Sequence, residues 1–145
     1  MSRDALCGGM YHVLVPVDEN DDRSREQVAY VTGLAEAGAE VRATVVHAFE
    51  GYQPDVPREM RTLERVSSVK TAVRGLEAAG VEAETVEIGS PVAPEIVETA
   101  RDLDVDGVVV AGRDAGPVGK ALFGSVAQTV VLDADCPVTV VGVEE

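Results

Sequence analysis

Aromatic side chains are nearly missing from this chain: it has no Trp, and Phe and Tyr make up only 3% of its 145 residues. Val and Ala must therefore fill the interior, which suits a parallel sheet covered by helices. Lysine is as scarce. Lys70 and Lys120 are the only two, and 12 Lys and Arg stand against 26 Asp and Glu, for a net charge of −14. Such a surface repels nucleic acid and anionic membranes, so neither is expected as a partner. Abundant carboxylate with little lysine reads as a halophilic, acidic surface that keeps the protein soluble in a high-salt cytoplasm. No apolar run approaches the roughly 20 residues that cross a bilayer, and no signal peptide is visible. A cytoplasmic location is therefore expected.

Cysteine and histidine are equally sparse. Cys7 and Cys136 sit at opposite ends of the chain, with no CxxC spacing and no His nearby. That pattern reads as structural thiols. His12 and His47 are the two histidines. They form no His pair, His/Cys cluster or Ser-His-Asp arrangement, so neither a metal ligand nor a catalytic residue is assigned.

What is present is 46% hydrophobic residues in a length that fits one domain with a real core. Residues 1–9 carry no periodicity and read as a flexible leader to a single domain over 10–145. Apolar runs predict strands at 11–17, 40–49, 83–88, 105–111 and 138–143. The third is the more polar and belongs nearer a sheet edge. Helical periodicity predicts helices from about Ser24 to Ala37, from about 58 to 79, from Ser90-Pro91 to Leu103, and from Ser125 to Leu132. Gly38 and Gly80 stop the first two, while Ser90 reads as an N-cap with Pro91 at the first helical position. Strictly alternating strands and helices predict an open five-stranded parallel α/β sheet, Rossmann-like, with helices on both faces.

The most telling stretch is 108–125, where an apolar strand runs into a loop of Gly112, Gly116 and Gly119 that ends at Gly124-Ser125. Ser125-Val126-Ala127-Gln128 reads as a capping box opening the last helix. A strand tip, small residues and a helix N-terminus make an anion site. In an open α/β sheet, ligands bind beyond the carboxyl ends of the strands, where strand order reverses. If the first and fourth strands are neighbours there, Pro16 and Asp18 meet Val110, Ala111, Gly112 and Arg113, with Gly124, Ser125 and Val126 at the helix start. Ala48, ending the second strand, lies beside them. A carboxylate for ribose hydroxyls, apolar strand ends for a base and a phosphate cradle describe a nucleotide pocket.

These residues resemble the universal stress protein family from Tyr11 to Val143. The resemblance rests on Val13-Leu14-Val15-Pro16-Val17-Asp18, Val46-His47-Ala48, Gly89-Ser90-Pro91, Leu122-Phe123-Gly124-Ser125-Val126 and Cys136-Pro137-Val138-Thr139-Val140-Val141. It implies an adenine-nucleotide α-hydrolase-like fold, homodimers through the C-terminal strand and, in one branch, ATP with Mg²⁺. That branch carries Gly-x2-Gly-x9-Gly-Ser/Thr. Counting back from Gly124 puts Asp114 and Ala111 where the earlier glycines stand, and Asp114 would set a carboxylate near the phosphates. Arg113 and Lys120 could offset it.

Two readings of function stay open. In the first, the chain is an adenine-nucleotide-binding module of stress response with no catalysis, or at most weak ATP turnover. In the second, the pocket is vestigial and the protein acts on protein partners through its dimer surface. An ATP pyrophosphatase-type enzyme is a third, but its Ser-Gly-Gly-x-Asp-Ser loop is absent where Asp18-Glu19-Asn20 stands. A P-loop reading of Gly119-Lys120 fails because Asp114 and Ala121 occupy positions that the motif reserves for Gly and Ser or Thr. Asp18 contacts ribose or a phosphate-bound metal, or else only caps the first helix. Lys120 is a phosphate charge or a surface cation, and His47 a packed strand residue. The uncharged run Pro137 to Val143 would be an aggregation hazard as a bare edge strand, and pairing with a second copy removes it.

Overall fold

Runs of Val separated by polar turns give the chain its strands, and the computed structural model, which describes residues 10–48, 63, 66–112 and 124–142, shows how they assemble. The strands are β1 (Tyr11–Pro16), β2 (Val41–Ala48), β3 (Glu82–Ile88), β4 (Gly107–Ala111) and β5 (Val138–Val141). Between them run α1 (Asp21–Glu36), α2 (Ser67–Ala78), α3 (Val92–Asp102) and α4 (Ser125–Asp133). Every pairing is parallel and the sheet order is β3-β2-β1-β4-β5. The expected α/β architecture is therefore what forms, with β1 and β4 side by side where the order reverses.

The twofold repeat of a strand sorts the core into two layers. Val13 and Val15 on β1 join Val28, Val31, Val69 and Leu76 under α1 and α2. Leu14 points the other way and joins Ile96, Val97, Ala127 and Val130 under α3 and α4. Neither set of buried residues contains an aromatic ring. The central strands are buried, whereas Glu82, Glu84 and Glu87 line β3 with exposed charge. Charge along an edge blocks pairing with stray strands. The other edge, β5, has four half-buried uncharged residues instead.

Several boundaries differ from the sequence expectation, each for a local reason. Helix α1 starts at Asp21, not Ser24, because Asn20 is the N-cap and its Oδ1 accepts the Arg23 N–H at 2.8 Å. Helix α2 opens at Ser67 behind the extended Val66 (φ −84°, ψ 122°), and the earlier part of the expected helix, at 58–62 and 64–65, lies outside the described residues. Pro91 is itself the extended N-cap of α3, so Ser90 lies outside that helix and Val92 opens it. Gly124 caps α4 without a side-chain bond, so Ser125 is the first helical residue and forms no capping box with Gln128. Strand β4 starts at Gly107 because the Val105 N–H closes α3 on Ala100 O at 3.2 Å. The leader 1–9 with Cys7, the segment 58–62 and the loop from Arg113 to Phe123, with Asp114 and Lys120, lie outside the described residues, as does Val143.

Two glycines end helices as expected. Gly38 (φ 105°) and Gly80 (φ 81°) take the left-handed conformation that closes α1 and α2. Asp104 (φ 53°) does the same for α3 without being glycine. Gly75 serves packing instead, since a Cβ there would lie 2.8 Å from Val28 Cγ1 across the α1–α2 contact. Gly75→Ala is expected to lower stability by about 1 kcal/mol, because overpacking of ~1–3 kcal/mol outweighs the better helix propensity of Ala. A lower urea midpoint at unchanged slope checks this.

Candidate functional site

The strand pairings place a crevice at the reversal of strand order. Between β1 and β2 the ladder holds six residue pairs, from Tyr11↔Val41 to Pro16↔Val46. Between β1 and β4 it holds Val13↔Gly107 and Leu14↔Val108, and there the strands part. Parting leaves buried carbonyls that a sheet would normally satisfy. Gln27, on α1 and 1% exposed, satisfies them: its Nε2 donates to Pro16 O at 2.6 Å and to Val109 O at 2.9 Å. Both amide protons are thus spent, one on each strand, and the carboxamide keeps β1 and β4 apart at the floor of the crevice.

The crevice is a cavity of about 690 Å³, large enough for a nucleotide. One wall is apolar and comes from Val46, Ala48, Ile88, Val92, Ile96 and Val110. The polar lining comes from Asp18, Glu19 and Asn20 in the β1–α1 turn and from Arg23 in the first turn of α1. Gly124 to Ala127 complete it at the start of α4. The N-cap of α4 is Gly124, which has no side chain to bond the first-turn N–H groups, and the helix dipole there favours an anion.

The turn that carries Asp18 is anchored from below. The Ser68 hydroxyl on α2 donates to Asp18 O, and the Ser24 hydroxyl on α1 donates to Ser68 O at 2.8 Å, both serines being fully buried. Asp18 Oδ1 accepts the Asn20 N–H at 2.8 Å, and Oδ2 accepts Arg23 Nε–H at 2.7 Å. His47 is 3% exposed and its Nδ1 lies 2.8 Å from Val17 O. A carbonyl can only accept, so Nδ1 carries a proton and donates it to Val17 O. Among the described residues no group of three or more His, Cys, Asp or Glu is placed to hold a metal ion. No helix among them is long and apolar enough to cross a membrane.

Of the residues singled out in the sequence, Pro16, Asp18, Ala48, Val110, Ala111, Gly124, Ser125 and Val126 all line this cavity. Gly112 does not: its N–H donates to Val141 O at 2.7 Å, extending the β4–β5 ladder, and so is spent on the sheet. Arg113 lies outside the described residues. Gln27, Arg23 and the wall of Ile88, Val92 and Ile96 were missed, and His47, read as a packed strand residue, also lines the cavity. Gln27 carried a signal, as a polar residue in the apolar stripe Val28, Val31 of its helix.

The whole chain follows this pattern. A family model of the universal stress protein family matches residues 10–142. The chain belongs to the universal stress protein family. A universal stress protein of Thermus aquaticus, encoded in the QAH/OAS sulfhydrylase 3′ region, is 30% identical over 139 residues, 91% of this chain and 99% of its own. The solved universal stress protein of Archaeoglobus fulgidus is 27% identical, with a TM-score of 0.71 over 92% of this chain and 98% of that one. A second Archaeoglobus fulgidus structure, in complex with dAMP, gives 24% identity and a TM-score of 0.68 over the same shares.

For this universal stress protein the amide of Gln27 is the structural requirement of the site. Gln27→Leu is expected to lower stability by about 1–3 kcal/mol, chiefly because the buried Val109 carbonyl loses its donor, the Pro16 carbonyl being only part-buried. Urea denaturation in molar salt measures it. A loss under 1 kcal/mol would show that the carbonyls find other donors.

Proposed function

We propose that the cavity binds an adenine nucleotide and that the chain is a nucleotide-binding module of stress response rather than an enzyme. The observation that carries this reading is the meeting, at one strand-order reversal, of an apolar slot, a carboxylate and an uncapped helix start. The apolar wall accepts the base, the Asp18 carboxylate accepts from ribose hydroxyls, and the N–H groups from Ser125 onward cradle the phosphates. The dAMP complex of the Archaeoglobus fulgidus relative supports the adenine class. ATP is the larger candidate, with Mg²⁺ arriving on its phosphates. In this reading any turnover of ATP is at most weak. The acidic composition fits a cytoplasm rich in salt.

The expected result is a rise in melting temperature with AMP or Mg-ATP in molar salt. At a ligand concentration of a hundred times Kd the stabilisation is ~2.7 kcal/mol, or about 6–10 °C for a domain of this size. Gly124→Glu, which sets a carboxylate at the α4 start, abolishes the rise. No response of the wild type to any adenine nucleotide refutes the reading.

The edge strand supports a further part of the proposal, a homodimer. Along β5 the residues Val138, Thr139, Val140 and Val141 are half-exposed, and α4 adds Val131 at 38% and Leu132 at 73% exposure. A second copy pairing along β5 covers that face and satisfies its edge. Light scattering at micromolar concentration in molar salt is expected to give twice the chain mass, and a monomer defeats the proposal. If nucleotides fail to bind while the dimer holds, action on protein partners through that dimer becomes the better reading.

A further inference from the structure

Arg23 is the single lysine or arginine among the described residues that line the cavity, whereas Asp18 and Glu19 bring two carboxylates to the same rim. A phosphate entering there meets repulsion from both acids unless a cation is close. The helix start at Gly124–Ala127 supplies only partial charge.

The present partner of Arg23 is lightly held. Its contact to Asp18 uses Nε alone, at 2.7 Å, with the two side chains 29% and 53% exposed. An ion pair so open to water contributes little to stability. Nη1 and Nη2 make no hydrogen bond within the described residues, so most of a planar fork suited to phosphate is uncommitted. Asp18 does not depend on Arg23 for its geometry, because Oδ1 accepts the Asn20 N–H and its carbonyl accepts from Ser68. The Arg23 backbone is also fixed, by its N–H on Asn20 Oδ1. A side chain on a rigid base, paired weakly and facing a cavity, can change partners without moving the fold.

We propose that Arg23 is the residue by which this site tells a nucleotide from its nucleoside, exchanging Asp18 for a phosphate oxygen of the bound ligand. The exchange does two things at once. The guanidinium neutralises the phosphate against Asp18 and Glu19, and the released Oδ2 of Asp18 becomes an acceptor for a ribose hydroxyl. A nucleoside offers no phosphate and must compete with Arg23 for the same carboxylate. This inference rests on the nucleotide reading above and adds the residue and the discrimination.

The experiment is isothermal titration of AMP and of adenosine into the wild type, Arg23→Gln, Arg23→Lys and Asp18→Asn, in molar potassium chloride. The wild type is expected to favour AMP by about tenfold or more, the scale of one charge-assisted bidentate contact. Arg23→Gln removes that preference by weakening AMP while adenosine, freed from competition for Asp18, binds no more weakly than before; Arg23→Lys restores part of the preference, and Asp18→Asn keeps it because Arg23 is set free. Unliganded melting temperatures of the four proteins verify that each folds. Equal loss of AMP and adenosine binding in Arg23→Gln overturns the proposal, since Arg23 then only positions Asp18; no loss of either overturns it too. Equal affinity of the wild type for both ligands sinks this proposal while leaving the nucleotide site standing. Binding of neither to the wild type sinks the nucleotide reading, and this inference with it.

Discussion

Two carbonyl oxygens, Pro16 O and Val109 O, and the one carboxamide that reaches both hold the site of this protein open. Had β1 and β4 stayed paired to their ends, the sheet would be continuous there and no crevice would form. Had they parted without Gln27, the buried Val109 acceptor would be left without this donor, a penalty of about 1–3 kcal/mol, and the part-buried Pro16 acceptor would lose its bond as well. The wedge therefore links helix α1, the sheet and the cavity floor in one interaction. Everything that lines the cavity is placed relative to it.

Around that floor the chain divides its labour by residue type. Val, Ile and Ala from three strands and α3 make a wall that water solvates poorly, suited to a flat apolar ligand face. Buried serines on α1 and α2 set the height of the Asp18 turn through hydroxyl-to-carbonyl bonds, which hold a backbone without adding charge. The start of α4 is left without a side-chain cap, so its amides keep their hydrogen-bonding capacity for a ligand. In a protein of charge −14, an anion site needs such local sources of positive potential, and the net surface field works against it. Elsewhere a cation is paired at the surface: in the last turn of α3, exposed Arg101 meets Asp135 at 2.7 Å, and that hydrogen bond and charge raise the guanidinium above its ordinary pKa.

The placing of strands and helices was legible because two different periods alternate along the chain, and only parallel crossovers join such elements with short connections. Asp18 and Ser125 could be assigned to one cavity from topology alone. Helix starts were less legible. Asn20, Val66, Pro91 and Gly124 are settled by backbone angles and by which neighbour accepts which hydrogen bond, and a motif such as Ser125-x-x-Gln128 does not determine those. Gly112 shows the same limit: as a glycine after a strand it invites a phosphate, yet its N–H belongs to Val141.

By itself the sequence determined the architecture, the two-layer Val- and Ala-filled core and the end of the sheet where the cavity opens, because each follows from periodicity and chain connectivity. Tertiary structure alone decided that β1 and β4 part after Leu14, that Gln27 spans the gap, and that Arg23 turns onto Asp18. The first two depend on contacts between residues far apart in the chain, such as Gln27 of α1 with Val109 of β4, and the third on the β1–α1 turn that Ser68 of α2 anchors. A single sequence records the side chains available for such contacts and not which of them meet.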